Sequence, residues 1–269
     1  MESKKIIYYE DELNDEFSGT HIEPIKIDEN YKYIHKNPLW NICSYCLQNI
    51  ISIPIKILYS KLKFRIKYFG KENIKKYKKQ GYFIYSNHTQ NFADTFIPSN
   101  PIYPKRNFFI VNPENVSMKG LKNFVQMLGA IPIPDNKKAM ENFLECIEQK
   151  IDRGYAITIY PEAHIWPYYT KIRPFKDVSF AYPAKLLKPV FCMTNTYQAY
   201  GKNKDKIQIV TYIDGPFLPD ENLSIKERKL NLRNKVYDKM VERSKSSNVE
   251  YIKYIKNKNS NKNEVTTKC

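Results

Sequence analysis

The sequence predicts an α/β fold, a mixed and mainly parallel sheet flanked by helices. Short apolar runs of strand length alternate with stretches whose apolar residues recur at helical spacing. Gly129, Asn136 and Gly154 punctuate that alternation. Ahead of it stands the most apolar part of the chain, Leu39 to Phe64 (LWNICSYCLQNIISIPIKILYSKLKF), which calls for N-terminal helices of a different kind.

Residues 1–37 are polar and locally acidic (Glu10, Asp11, Glu12, Asp15, Glu16) and read as a solvated extension with little structure of its own. Residues 38–66 come next. A spanning helix wants about 20 mostly apolar residues. Here Asn41, Ser44, Gln48, Asn49 and Lys56 interrupt the run, and Pro54 breaks it. The expected form is one or two interfacial helices on a membrane. Trp40 and Tyr45 would anchor them, and Lys56, Lys61, Lys63, Arg65 and Lys67 would meet headgroups. A helical pair packed on its own domain and a true span are the alternatives.

Residues 67–247 carry the alternation. Strands are expected at Tyr82 to Ser86 and Asn107 to Val111. A helix follows through Leu121, Phe124, Val125 and Leu128, and then the extended piece AIPIP. Asn136 is placed to cap a helix whose buried stripe is Met140, Phe143, Leu144, Ile147 and Ile151, and Gly154 stops it. Further strands are expected at Tyr155 to Tyr160, Pro189 to Thr194 and Ile207 to Ile213. Ser224 and Glu227 form a capping box for a last amphipathic helix running to about Arg243. Residues 248–269 are rich in Lys and Asn and read as a frayed basic tail.

A chain of 269 residues suits one such domain with extensions. Its net charge of +16 attracts polyanions: nucleic acid, an anionic membrane or a phosphorylated substrate. No zinc finger or RNP-type aromatic motif is present, so no specific nucleic-acid partner is expected. Five scattered cysteines argue against a disulfide framework. Cys43 and Cys46 lack the second pair that a zinc site needs, and read as packing residues. The acidic N-terminus has no apolar signal segment, and a reducing cytoplasm fits.

Four histidines are available for chemistry: His21, His35, His88 and His164. The first two lie in the polar extension. His88 directly follows a strand, at the carboxyl end where open α/β sheets place their sites, and Asp94 lies six positions on. A histidine that accepts a proton from a hydroxyl needs a second group to hold its tautomer and steady the imidazolium. Asp94 can supply that if His88 is in the loop and Asp94 is in the first turn beyond it. Taken alone, the pair reads more readily as a surface histidine near an unrelated carboxylate.

The stretch Asn87-His88-Thr89-Gln90-Asn91-Phe92-Ala93-Asp94 resembles the first motif of the glycerophosphate and lysophospholipid acyltransferases, the family of bacterial 1-acylglycerol-3-phosphate acyltransferases. Ile159-Tyr160-Pro161-Glu162 resembles the start of that family's Phe-Pro-Glu-Gly-Thr-Arg block. Arg173-Pro174-Phe175-Lys176 resembles its Pro-Phe-Lys stretch, and Lys188-Pro189-Val190 its final Pro-Val block. Motif order and intervals fit over about residues 80–197. Three departures stand out. Five residues rather than four separate His88 from Asp94. Ala163-His164-Ile165-Trp166 replaces Gly-Thr-Arg, so the arginine that meets the acceptor phosphate has no counterpart. After Ile131-Pro132-Ile133-Pro134-Asp135 comes Asn136 where a basic residue is usual.

The resemblance implies direct transfer of a fatty acyl group from an acyl thioester, acyl-CoA or acyl carrier protein, to the hydroxyl of a lysophosphatidate or other lysophospholipid. It implies neither a covalent enzyme intermediate nor a metal or other cofactor. The expected location is the cytoplasmic face of the cell membrane, with an anionic membrane surface as partner. His88 would take the hydroxyl proton and Asp94 orient it. Glu162 would hold the site's loops together or contact the acceptor. His164 would donate to a phosphate or thioester oxygen, or pack against Trp166. Lys137, Lys138, Lys171, Arg173 and Lys176 would replace the missing positive charge, or form a solvated basic face. Two other classes remain. One is a catalytically silent lipid- or membrane-binding protein on the same scaffold, and the other is a non-specific nucleic-acid binder with a steep salt dependence.

Overall fold

The computed structural model describes residues 5–19, 22–201 and 206–257. His21 and the tail beyond residue 257 lie outside them. In chain order the main elements are β1 (Lys5–Tyr9), α1 (Pro38–Tyr45), α2 (Ser52–Lys63), β2 (Lys67–Phe69), α3 (Lys71–Lys75), β3 (Tyr82–Ser86), β4 (Asn107–Val111), α4 (Lys122–Met127) and β5 (Ala130–Pro132). There follow α5 (Lys137–Asp152), β6 (Ala156–Ile159), α6 (Ala181–Leu186), β7 (Val190–Tyr200), β8 (Lys206–Phe217), α7 (Ile225–Ser244) and β9 (Ile252–Lys256).

Seven strands form one sheet in the order β2-β8-β7-β3-β6-β4-β5. Every pair is parallel except β7–β8. Those two strands follow one another directly, so they can pair antiparallel, whereas the parallel neighbours need crossovers. The mainly parallel sheet is as expected.

β3 occupies the middle and is buried along its length. Its side chains alternate between two cores, as strand geometry requires. Phe83 and Tyr85 join Phe143, Ile147, Leu232 and Val236 on one face. Tyr82 and Ile84 join Phe191, Met193 and Ile213 on the other. The expected caps form. The Asn136 side chain accepts from Ala139 N at 2.9 Å, and Ser224 with Glu227 completes a capping box on α7. In α5 Phe143, Ile147 and Ile151 are fully buried, with Met140 and Leu144 packed at their margin.

Pro54 does not break the apolar segment. α1, a π turn over Cys46–Ile51 and α2 form one helix from Pro38 to Lys63. Proline has no N–H to give to the preceding turn, and the wider π turn absorbs the missing bond. The helix is 26 residues long and, among the described residues, the one long and apolar enough to cross a membrane.

Its polarity is reversed. Ser44, Gln48, Asn49, Lys56 and Ser60 are buried against the domain, while Leu39, Ile42, Ile50, Ile51, Ile55, Leu58 and Leu62 are exposed. Ser44 and Gln48 donate to Met127 O at 2.8 and 3.1 Å, and Asn49 donates to Pro104 O at 2.9 Å. Lys56 therefore does not face headgroups. It is buried 3.5 Å from Ser99 Oγ, and burial lowers its pKa to about 8. Lys61, Lys63, Arg65 and Lys67 are exposed, as expected. Cys43 is exposed rather than packed.

The two termini depart most from expectation. β1 pairs in parallel with β9, from Lys5↔Ile252 to Tyr9↔Lys256, so neither the extension nor the start of the tail is unstructured. Ile27, Tyr31 and Tyr33 enter the main core, and the Tyr33 hydroxyl donates to Pro132 O at 2.8 Å. Ile25 and Ile27, then Tyr31 and Tyr33, alternate with polar residues, but each run is too short to mark an element.

Candidate active site

β3 ends at Ser86, at the carboxyl edge of the sheet's middle. Asn87 then fixes where the chain leaves. Its Nδ2 donates to Asn195 O at 3.0 Å, and its Oδ1 accepts from Asn195 N at 2.8 Å. This reciprocal pair clamps the strand end to β7. The His88 backbone is held on both sides, by Glu162 Oε2 accepting from its N–H at 3.0 Å and by Trp166 N donating to its carbonyl at 3.1 Å.

The chain turns back so that His88 Nδ1 and Asp94 Oδ2 stand 2.8 Å apart. The same oxygen accepts from Thr89 N at 2.8 Å and Gln90 N at 2.9 Å. Asp94 is 1% exposed and sits in a 3-10 turn, Ala93–Thr95, rather than in an α-helix. The residue extra to the family spacing is absorbed in the non-helical turn before it. With Nδ1–H given to the carboxylate, Nε2 carries the ring's lone pair. Nε2 has no hydrogen-bond partner among the described residues, and the imidazole is 17% exposed. That is the arrangement of a general base open to an incoming hydroxyl.

Two neighbours were not singled out from the sequence. Tyr160 stacks on the imidazole, and its hydroxyl donates to the Asp94 carbonyl. Burial, with Asp94 second, pushes that hydroxyl well above the ordinary tyrosine range, so it remains a donor. Tyr197 donates to Thr89 Oγ1 at 2.8 Å and accepts from Gln90 Nε2 at 2.9 Å, holding the loop from the β7 side. Tyr160 could have been found as the aromatic position of the Pro-Glu block. Nothing local marks Tyr197 or Asn195, which reach the loop from more than 100 residues away.

Glu162 is a brace. Besides the His88 amide, it accepts from Arg173 N at 2.9 Å and pairs with the Arg173 guanidinium at 3.5 Å. Burial raises its pKa, and Arg173 opposes that shift. Arg173 does not have the exposure that phosphate recognition requires. It is 1% exposed, its guanidinium donates to His164 O and Glu12 O, and it lies 4.9 Å from the Trp166 ring. Both terminal nitrogens are engaged, Nε is buried without a partner, and no side of the guanidinium is open to an incoming phosphate.

His164 is half-buried. Its Nδ1 lies 3.5 Å from Glu16, and Trp166 packs instead on Tyr9, Phe17, Tyr169 and Tyr254. Residues 12–18 thus cross from Arg173 over Trp166, whose Nε1 donates to Asp15 O at 2.7 Å, to Asn91, which donates to Ser18 O at 2.8 Å. Lys137, Lys138, Lys171 and Lys176 are exposed.

Residues 65–195 match the family model described as Acyltransferase. No curated protein matches the chain. Among solved structures, that of the 1-acyl-sn-glycerophosphate (LPA) acyltransferase PlsC from Thermotoga maritima is similar, at a TM-score of 0.47 and 18% identity, over 78% of this chain and 97% of that one. The matched stretch runs from just after the long helix into β7 and contains His88, Asp94, Tyr160, Glu162 and Arg173; over these residues the chain is similar to the acyltransferase family.

Proposed function

We propose that the protein transfers a fatty acyl group from an acyl thioester to the free hydroxyl of a lysophospholipid at the cytoplasmic face of a membrane. The observation that carries this reading is the His88–Asp94 hydrogen bond, 2.8 Å long, beside an Nε2 with no partner among the described residues. His88 Nε2 takes the acceptor's hydroxyl proton, and the oxygen attacks the acyl carbonyl. The tetrahedral oxyanion collapses with loss of the thiolate, which receives the proton from the His88 imidazolium. Asp94 steadies that imidazolium through Nδ1–H. Lys171 and Lys176 are the exposed cations of the Arg173 loop, suited to an acceptor phosphate.

The reversed helix supports the membrane assignment. Its exposed face presents isoleucines and leucines, while its buried face is hydrogen-bonded to the domain along its length. A helix tied down in that way lies in the interface rather than crossing it.

Incubating the purified protein with labelled acyl-CoA or acyl carrier protein thioester and a panel of lysolipids tests the proposal. Labelled diacyl product is expected with wild type, and about 10²–10⁴-fold less of it with His88→Ala. No product with any acceptor, or equal product from both proteins, would sink it and leave a silent scaffold.

A further inference from the structure

At the opposite, amino-terminal edge of the sheet, where β4 begins, lies a small cavity of about 30 Å³. Tyr33, His35, Trp40, Ser44, Arg106 and Lys150 line it, and no carboxylate does. Arg106 is 9% exposed, yet its guanidinium is met by neutral acceptors, Gln48 Oε1 at 2.7 Å and Ser44 Oγ at 2.6 Å. Lys150 makes no ion pair among the described residues, and its Nζ lies 4.8 Å from the Phe108 ring centroid. His35 Nε2 is buried with no partner.

Buried cations are ordinarily paired, because the hydration they lose on burial has to be replaced. Here two cations and an unused ring nitrogen converge on one cavity. A water needs roughly 10–15 Å³ of such space, so the cavity admits two or three oxygen atoms, the face of one oxyanion. Burial, reinforced by neighbouring cations, holds Lys150 and His35 below their ordinary pKa values, and an anion between them would relieve both.

We propose that this cavity is a phosphate-binding site separate from the acyl-transfer site. Trp40 and Ser44 of α1 line it, and the other face of that helix carries the exposed Leu39 and Ile42. A lipid whose chains lie along those residues brings its headgroup phosphate to Arg106 and Lys150. Free phosphate offers the same chemistry without the chains.

Trp40 stacks on His35 with ring centroids 3.8 Å apart, so its emission reports on the cavity. The full chain is titrated with inorganic phosphate against potassium chloride at matched ionic strength, as wild type, Trp40→Phe, Lys150→Gln and Arg106→Gln. A saturable change is expected in wild type and none in Trp40→Phe. The midpoint should rise roughly tenfold or more in Lys150→Gln, the loss of one charge-assisted contact. If Arg106→Gln does not fold, Lys150→Gln decides. A second arm uses phosphatidylcholine vesicles with and without phosphatidic acid. A response to phosphatidic acid that Lys150→Gln removes, with none to inorganic phosphate, assigns the site to a lipid headgroup. If Lys150→Gln behaves as wild type in both arms, the proposal is overturned.

Discussion

Tyr160 lies nearly parallel to the His88 imidazole, with ring centroids 4.2 Å apart and planes inclined by 19°. Its hydroxyl also holds the Asp94 carbonyl, so one side chain positions both members of the dyad. Tyr160→Phe keeps the stack and loses one hydrogen bond, worth about 0.5–1.5 kcal/mol. Its kcat should fall at most about tenfold, with the donor KM unchanged. Tyr160→Ala should fall further. Steady-state kinetics of both variants check this, and a Phe variant as inactive as His88→Ala would make the hydroxyl itself a participant in the chemistry.

His88→Ala and Asp94→Asn should each lower kcat/KM by about 10²–10⁴, the usual worth of general-base assistance. Groups that act as one unit are non-additive, so the double variant should be little worse than either single one. A loss under tenfold in Asp94→Asn would remove Asp94 from the mechanism.

Removing either partner of the enclosed Glu162–Arg173 pair leaves a buried charge alone, which costs about 3–5 kcal/mol. Urea denaturation of Arg173→Ala should show that loss, and Arg173→Lys should recover little of it because lysine cannot reproduce the fork. Unchanged stability together with a raised acceptor KM would return Arg173 to the substrate site.

Lys56 has a pKa of about 8 in the folded protein because it is buried, against an ordinary 10.5. Between those values the unfolded chain holds the proton and the folded chain does not, so stability rises with pH across that window. Lys56→Met should be more stable than wild type at pH 7, by about 1–3 kcal/mol, and should lose the rise between pH 8 and 10.5. Denaturation midpoints at pH 7, 9 and 10.5 measure both effects. A stability curve equally steep in Lys56→Met would place the titrating group elsewhere.

Ile55→Glu and Leu58→Glu alter only the exposed face of α2 and should keep the fold. Both should weaken sedimentation with anionic vesicles strongly, whereas high salt should release wild type only in part, because apolar burial is not screened. Undiminished vesicle binding by the double variant would move the membrane contact to another surface.

The strands from Tyr82 to Ile213 and the capped helices were legible because their signals are local: apolar runs, helical spacing and caps within four residues. His88 and Asp94 were legible as a pair, since they are six residues apart in one loop. Arg173 was not legible as buried. Its partners include Glu12, 161 residues away, and sequence patterning shows charge but not what covers it. The β1–β9 pairing was hidden for the same reason, and Pro54 misled because a π turn can absorb a proline that would otherwise end a helix.

The polar inner face of the long helix has a consequence for aim. Apolar contacts would let the helix roll or slide against its domain, but the bonds from Ser44, Gln48 and Asn49 to the Met127 and Pro104 carbonyls are directional. They set its rotation about its own axis. Whatever surface receives Ile55 and Leu58 therefore receives the whole domain at one tilt, and the height of Nε2 of His88 above that surface becomes a fixed length of the molecule.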